Sequence, residues 1–190
     1  MRTFIAVPVD DAIRSRLAQA QDRLRAAPCT VKWVRPEQMH VTVKFLGEIE
    51  PEAVSAVAEA MAAAARGMAP FDMAITGLGA FPGRGAPRVV WAGADDDGSL
   101  AAFHDRLEEH LEPLGVERET RAFSAHLTIG RARDRRGAGP LRRPIDAEAR
   151  TPFGSQRVAE VVLFRSVLSP AGPAYTRLHT QALAGAAATR

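Results

Sequence analysis

The sequence predicts an α+β fold of two similar lobes, with antiparallel sheets flanking a central cleft and helices outside. Three observations lead there. Short β-branched segments and amphipathic helical segments follow one another as β-α-β-β-α-β-β-α-β-β-β, without the strict alternation of a parallel sheet. A coarse echo runs through the chain: each half contains a helix followed by a strand bearing His-x-Thr, at His40 and again at His126. The 190 residues, 46% hydrophobic and 25% charged, suit one domain with its own core. Residues 1–190 are therefore read as a single bilobal unit.

Element by element, Thr3 to Val9 is apolar and β-branched and predicts a buried strand. Asp10 or Asp11 caps a helix over Ala12 to Ala26, with Ile13, Leu17 and Leu24 on one stripe. Val31 to Val34 predicts a short strand. Pro36 breaks the chain before a longer strand, Met39 to Leu46, which Gly47 ends. Pro51 opens a second helix reaching about Arg66. Phe71 to Leu78 reads as a strand, GLGAFPGRGAP as a surface loop, Arg88 to Ala92 as a strand and DDDGS as a turn. A third helix covers Leu100 to Leu111, with Phe103, Leu107 and Leu111 at four-residue spacing. Ala125 to Ile129 is a strand, and Arg133 to Arg150 reads as a long Gly/Pro/Arg-rich loop. Val158 to Leu168 and Tyr175 to Leu183 close the chain as a strand pair across Ser169-Pro170-Ala171-Gly172-Pro173. The last residues, AGAAATR, read as a frayed tail.

Bulk properties exclude several classes. One cysteine, Cys29, forms no internal disulfide and no multi-cysteine metal site. The net charge of +3 suits an anionic substrate but is too small to argue for duplex binding. Arg131, Arg133, Arg135, Arg136, Arg142 and Arg143 cluster in one stretch, readable as a solvated loop or as a phosphate-tracking surface. No stretch has the length of a membrane span, and MRTFIAVPVDD lacks the pattern of a signal peptide. A cytoplasmic monomer away from membranes is expected.

Strand alternation carries the chemistry. In HVTVKFLG, His40, Thr42 and Lys44 share one face and Val41, Val43 and Phe45 the other. In HLTIGR, His126 and Thr128 share a face. Two such faces across a cleft bring two imidazoles and two hydroxyls to one small volume. One imidazole can take a proton from water and the other can protonate a leaving oxygen, because histidine titrates near neutrality. The threonine hydroxyls can donate to phosphate oxygens as charge develops. No metal and no cofactor are needed for this, and two histidines without a neighbouring carboxylate or thiolate make a poor metal site. Arg131 is a secondary candidate for substrate contact, and reaches the His126 face only through a bulge or strand end near Gly130. Phe4 is a second, as a base-stacking surface weighed against a core role. Trp33 and Trp91 read as core. His104, His110, His179 and Cys29 are assigned no role.

PEQMHVTVKFLG and SAHLTIGR resemble the paired motifs of the 2H phosphoesterases. Within them the chain is similar to the bacterial and archaeal RNA 2′,3′-cyclic phosphodiesterases, once called 2′-5′ RNA ligases. The likeness continues through RTFIAVPV, FPGRGAPRVVWAG and VVLFRSVLSPAGPAYTRL, and departs at Ala125, where relatives often carry proline. It implies one motif per lobe and hydrolysis of RNA 2′,3′-cyclic ends to 2′-phosphomonoesters. It also implies His40 as proton donor, His126 as proton acceptor, and Thr42 and Thr128 as phosphate contacts. RNA ends with a 2′,3′-cyclic phosphate, or small cyclic nucleotides, are the expected substrates. Two alternatives remain: 2′-5′ ligation by the reverse reaction, and an RNA-end-binding module without turnover.

Overall fold

A computed structural model describes residues 1–133, 138–169 and 172–185. Its strands are β1 (Arg2–Pro8), β2 (Val31–Trp33), β3 (His40–Glu48), β4 (Phe71–Phe81), β5 (Val89–Asp95), β6 (His126–Ala132), β7 (Pro152–Val158), β8 (Glu160–Ser169) and β9 (Gly172–Ala182). Its helices are α1 (Asp11–Leu24), α2 (Ala53–Ala65), α3 (Ser99–Leu111) and α4 (Arg142–Ala147). The strands join in the order β7-β4-β5-β6-β3-β1-β8-β9, with β2 added on β6, and their pairings are antiparallel.

The two lobes are the two halves of this sheet. One is β3-β1-β8-β9, packed by α2 and α3; the other is β7-β4-β5-β6, packed by α1 and α4. They are not the two halves of the sequence. The helix after β1 packs on the far lobe, the helix after β5 packs back on the first, and β7 and β8 lie at opposite ends of the sheet. The chain therefore weaves between the lobes. The expected single strand Val158 to Leu168 is cut by this weaving: Val158 ends β7 on one lobe and Glu160 begins β8 on the other.

α1 and α3 bury the stripes that their spacing predicts. α1 buries Ile13, Leu17, Ala20, Gln21 and Leu24, and α3 buries Leu100, Phe103, His104, Leu107, Glu108 and Leu111. Asp10 occupies the N-cap of α1 but makes no side-chain capping bond. Its backbone N–H instead donates to Gln156 Oε1 at 2.8 Å, and Gln156 Nε2 donates to the Pro8 carbonyl at 2.9 Å. That glutamine, on β7, ties the end of β1 to the other lobe.

Two stretches read as loops are ordered elements. The first part of GLGAFPGRGAP continues β4 as far as Phe81. Gly77, at φ 71°, is the extra residue of a bulge against β5, and its N–H donates to the Thr151 carbonyl. Gly79 leaves room for the Trp91 ring, since a Cβ there would lie 2.2 Å from it. The stretch 133–150 contains α4, seated by Ala138, Leu141 and Ile145, all fully buried. Arg135 and Arg136 of the basic cluster, Pro170 and Ala171 of the expected hairpin turn, and residues 186–190 of the tail lie outside the described residues.

Gly79→Ala forces a methyl into the Trp91 ring. It is expected to cost about 1–3 kcal/mol, read as a lower urea midpoint at unchanged slope.

Candidate active site

The lobes meet where the two motif strands touch. β3 and β6 pair antiparallel at Val41↔Leu127. Their neighbours run in opposite directions, so His40 lies on the side of Thr128 and Thr42 on the side of His126. Val41 and Leu127 are fully buried, and all four motif side chains line one cleft.

Both strands then gain one residue directly after the motif. Ile5 pairs with Lys44 and Ala6 with Thr42, so Val43 is extra in β3. Val90 pairs with Gly130 and Trp91 with Thr128, so Ile129 is extra in β6. A bulge switches the face of every residue beyond it. Phe45 and Arg131, each five residues past a motif histidine, consequently return to the cleft. Phe45 is 56% exposed there. The expectation that Lys44 shares the His40 face, with Phe45 opposite, is overturned: Lys44 is 2% exposed. For Arg131, the bulge required near Gly130 is present.

Buried polar side chains sit under both bulges. Gln21 of α1 donates from Nε2 to the carbonyls of Ile129 (2.8 Å) and Val34 (2.7 Å). Lys44 points into the protein, where Nζ donates to the Glu117 carbonyl at 2.7 Å and lies 2.6 Å from Glu108 Oε1 of α3. His104 Nε2 lies 3.3 Å from the same oxygen, and its ring stacks on Phe123 at 4.6 Å between centroids. Together these bonds fix the segment 117–125, which leads into β6 and walls the cleft. Gln21 and Glu108 were not singled out from the sequence, and His104 was assigned no role. Their spacing on helix stripes reads as core, and only partners far along the chain reveal their role.

The histidines are held alike. His40 Nδ1 donates to the Gln38 carbonyl at 2.7 Å, and His126 Nδ1 donates to the Ser124 carbonyl at 2.8 Å. A carbonyl only accepts, so Nδ1 carries the proton in each ring. Nε2 of each ring is left for the cleft, as a base when neutral and an acid when charged. The surroundings differ. His40 stacks on Phe4 at 4.7 Å and meets the Tyr175 ring edge-on at 5.4 Å. Burial pushes its imidazole down to about 4, with the Gln38 carbonyl opposing in part. His126 meets Phe81 and Trp91 edge-on, at 5.3 and 6.3 Å. Trp91, expected as core, thus backs the second histidine. Phe4 is 3% exposed, and its ring also stacks on Phe164. A ring so covered offers little face to a base, and the base-stacking expectation for Phe4 gives way to support of His40.

The cleft encloses about 740 Å³, within the usual range for a small-ligand site. Neither Thr42 nor Thr128 spends its hydroxyl on a protein hydrogen bond among the described residues. Among the described residues the cationic lining is Arg2, Lys32, Arg121 and Arg131, against one carboxylate, Glu119. Three apolar side chains that are largely exposed, Phe45, Phe81 and Leu168, also line it.

A two-lobed antiparallel sheet that turns two His-x-Thr faces into one cationic cleft defines a two-histidine phosphoesterase. The chain belongs to the LigT like phosphoesterase family, which matches residues 7–91 and 94–175. It is 35% identical over 176 residues to the RNA 2′,3′-cyclic phosphodiesterase of Methanothermobacter thermautotrophicus, covering 93% of this chain and 95% of the relative. It is 36% identical over 179 residues to that of Archaeoglobus fulgidus, covering 94% and 98%. Among solved structures it resembles TT0787 of Thermus thermophilus, with a TM-score of 0.82 and 32% identity over 97% of this chain and 99% of that one. No helix of the described residues is long and apolar enough to cross a membrane.

Gln21→Leu strands the Val34 carbonyl and leaves the Ile129 carbonyl with the Val34 N–H as its donor. It is expected to lower stability by about 1–3 kcal/mol and to broaden the His126 imidazole signals in NMR as the bulge loosens. The His40 surroundings make stability depend on pH. The folded-state value, about 4, lies below the ordinary 6.5, so the unfolded chain takes up the proton first. This contribution is intact above about pH 6.5 and is lost as pH falls toward 4. Denaturant titrations of His40→Gln are expected to show a shallower loss across that window.

Proposed function

We propose that this chain hydrolyses the 2′,3′-cyclic phosphodiester at RNA ends to a 2′-phosphomonoester, by acid–base catalysis from His40 and His126. The observation that carries this reading is the matched pair of imidazoles. Each has Nδ1 tied to a carbonyl, and each stands beside a threonine hydroxyl with no protein partner among the described residues. The relatives named as RNA 2′,3′-cyclic phosphodiesterases support the same substrate. The exposed rings of Phe45 and Phe81 suit nucleobases, and the free cations suit phosphates. The cyclic phosphate itself selects RNA, because closing that ring requires a 2′-hydroxyl.

In this mechanism His126 Nε2 takes a proton from water as its oxygen bonds to phosphorus. The bond from phosphorus to the ribose 3′ oxygen breaks, and that oxygen takes the proton of His40 Nε2. Thr42, Thr128 and Arg131 hold the non-bridging oxygens as charge builds on them. The donor needs its proton first. Burial alone keeps His40 near 4 and therefore neutral at pH 7. An adjacent phosphate anion is the opposite charge that raises it, so substrate and proton arrive together. Ligation is the same attack made by an RNA 5′-hydroxyl in place of water, and water in excess over dilute RNA ends drives hydrolysis.

The test uses two substrates. On an RNA ending in a 2′,3′-cyclic phosphate, the product is expected to carry phosphate at the 2′ position. His40→Ala and His126→Ala are each expected to lose roughly 10²–10⁴ in rate. On a nucleoside phosphodiester with p-nitrophenolate as leaving group, no proton donor is required. His40→Ala then recovers most of its loss and His126→Ala does not. Recovery by His126→Ala instead exchanges the two roles. Full activity of either folded variant on the cyclic substrate ends the two-histidine reading.

A further inference from the structure

Beyond the reacting phosphate, the cleft continues along one row of the first lobe. Thr3 of β1 pairs with Arg165 of β8. One step further along that antiparallel pair, Arg2 lies beside Ser166. Ser166 in turn pairs with Tyr175 of β9. The next row inward holds Phe4, paired with Phe164, and Phe4 carries the His40 ring. Arg2, Ser166 and Tyr175 therefore form a polar row one residue pair out from the aromatic support of His40. All three line the same cleft as His40 and His126, and the Tyr175 ring touches the His40 ring edge-on.

This row is not used by the acid–base chemistry, and nothing among the described residues neutralises it. The Arg2 side chain has no ion pair and no hydrogen bond among the described residues, although Glu48 is its cross-strand neighbour on β3. Arg131, which faces the row from the second lobe, is equally unpaired among them. Some other arginines of the chain are engaged, Arg23 with Glu148 and Arg177 with Glu160, both at 2.7 Å. Burial pushes the Tyr175 phenol above its ordinary value, and the charges of Arg131 and Arg2 pull it partly back, so both guanidinium groups act on that hydroxyl. Two guanidinium groups, a phenol and a serine hydroxyl make a set rich in donors, with no carboxylate among these four residues.

We propose that Arg2, Ser166 and Tyr175 form a second anion subsite, which holds the phosphate on the 5′ side of the nucleotide whose cyclic phosphate reacts. The proposal rests on the phosphodiesterase reading. A single strand entering the cleft presents that phosphate one sugar away from the reacting one, and the row begins one ring away from His40. The subsite makes the enzyme favour RNA ends over nucleoside 2′,3′-cyclic phosphates that bear a free 5′-hydroxyl. Its ligand is a phosphate, either an internucleotide diester or a terminal 5′-phosphate.

The test compares kcat/KM on three cyclic substrates of one base: the nucleoside 2′,3′-cyclic phosphate, its 5′-phosphorylated form, and a dinucleotide ending in the same cyclic phosphate. The wild-type protein is expected to prefer both phosphorylated forms, roughly tenfold to a hundredfold, the worth of one or two charge-assisted hydrogen bonds. Arg2→Gln is expected to collapse that ratio toward one, and Arg2→Lys to hold an intermediate ratio. The wild-type protein also serves without substitution: log kcat/KM falls more steeply with salt for the phosphorylated forms. A preference for the dinucleotide alone points to a second base and overturns the anion subsite. Equal rates on all three substrates, equal salt slopes, or an equal loss on all three in Arg2→Gln also overturn it. Hydrolysis of none of them overturns the phosphodiesterase reading and the subsite with it.

Discussion

A strand that buries one face shows the same alternate residues to a cleft along its length, unless it gains or loses a residue. Both motif strands gain one, directly after His-x-Thr, and the site depends on it. Up to the bulge, alternation presents His40 with Thr42 and His126 with Thr128 while Val41 and Leu127 close the seam. Past the bulge, the face switches, and Phe45 and Arg131 join the cleft while Lys44 and Gly130 turn inward. Without the bulges the cleft would gain a lysine beside His40, and would lose an exposed aromatic ring on one strand and a free guanidinium on the other.

A bulge breaks the ladder and leaves backbone groups without strand partners, so it needs support from elsewhere. Gln21 meets the carbonyl of the extra residue Ile129 directly. Lys44, turned inward by the bulge at Val43, ties α3 to the segment before β6 through Glu108 and the Glu117 carbonyl. In both cases the supporting element is a helix packed on its lobe. The weave of the chain puts those helices in place: α1 follows a strand of the first lobe but braces the second, and α3 does the reverse. The lobes are thus pinned to each other through the strands that carry the histidines.

The motif faces were legible because alternation over three residues is a local property. His40, Thr42, His126 and Thr128 share a cleft as expected, and the helices keep their apolar stripes. Arg131 was legible in conditional form, since Gly130 flags a break in the strand. The bulge in β3 carries no such flag: Val43 and Lys44 are ordinary strand residues, and strict alternation put Lys44 and Phe45 on the wrong faces. α4 and β7 were hidden by glycine, proline and arginine, whose local preferences were outweighed by the burial of Leu141, Ile145 and Phe153. Gln21 was hidden because its partner Ile129 lies 108 residues away. Local signals thus placed the motif side chains, and contacts distant in sequence placed what holds them.

Charge completes the picture at a scale that net charge conceals. A total of +3 over 190 residues is too weak to draw RNA to the molecule at large. The cleft nonetheless lines itself with four cations against one carboxylate, none of the four held in an ion pair among the described residues. Field from unpaired charges in a concave, partly desolvated site exceeds that of the same charges spread on a surface. In the donor role proposed for it, His40 depends on that arrangement. Its rings of support, Phe4 and Tyr175, orient it but withdraw it from water, and so strip it of the proton that a donor must carry. In the proposed mechanism, the anion that the arginines attract is the group that returns the proton. Affinity for phosphate and readiness of the donor are then one electrostatic property, set by how deeply His40 is seated among the aromatic rings.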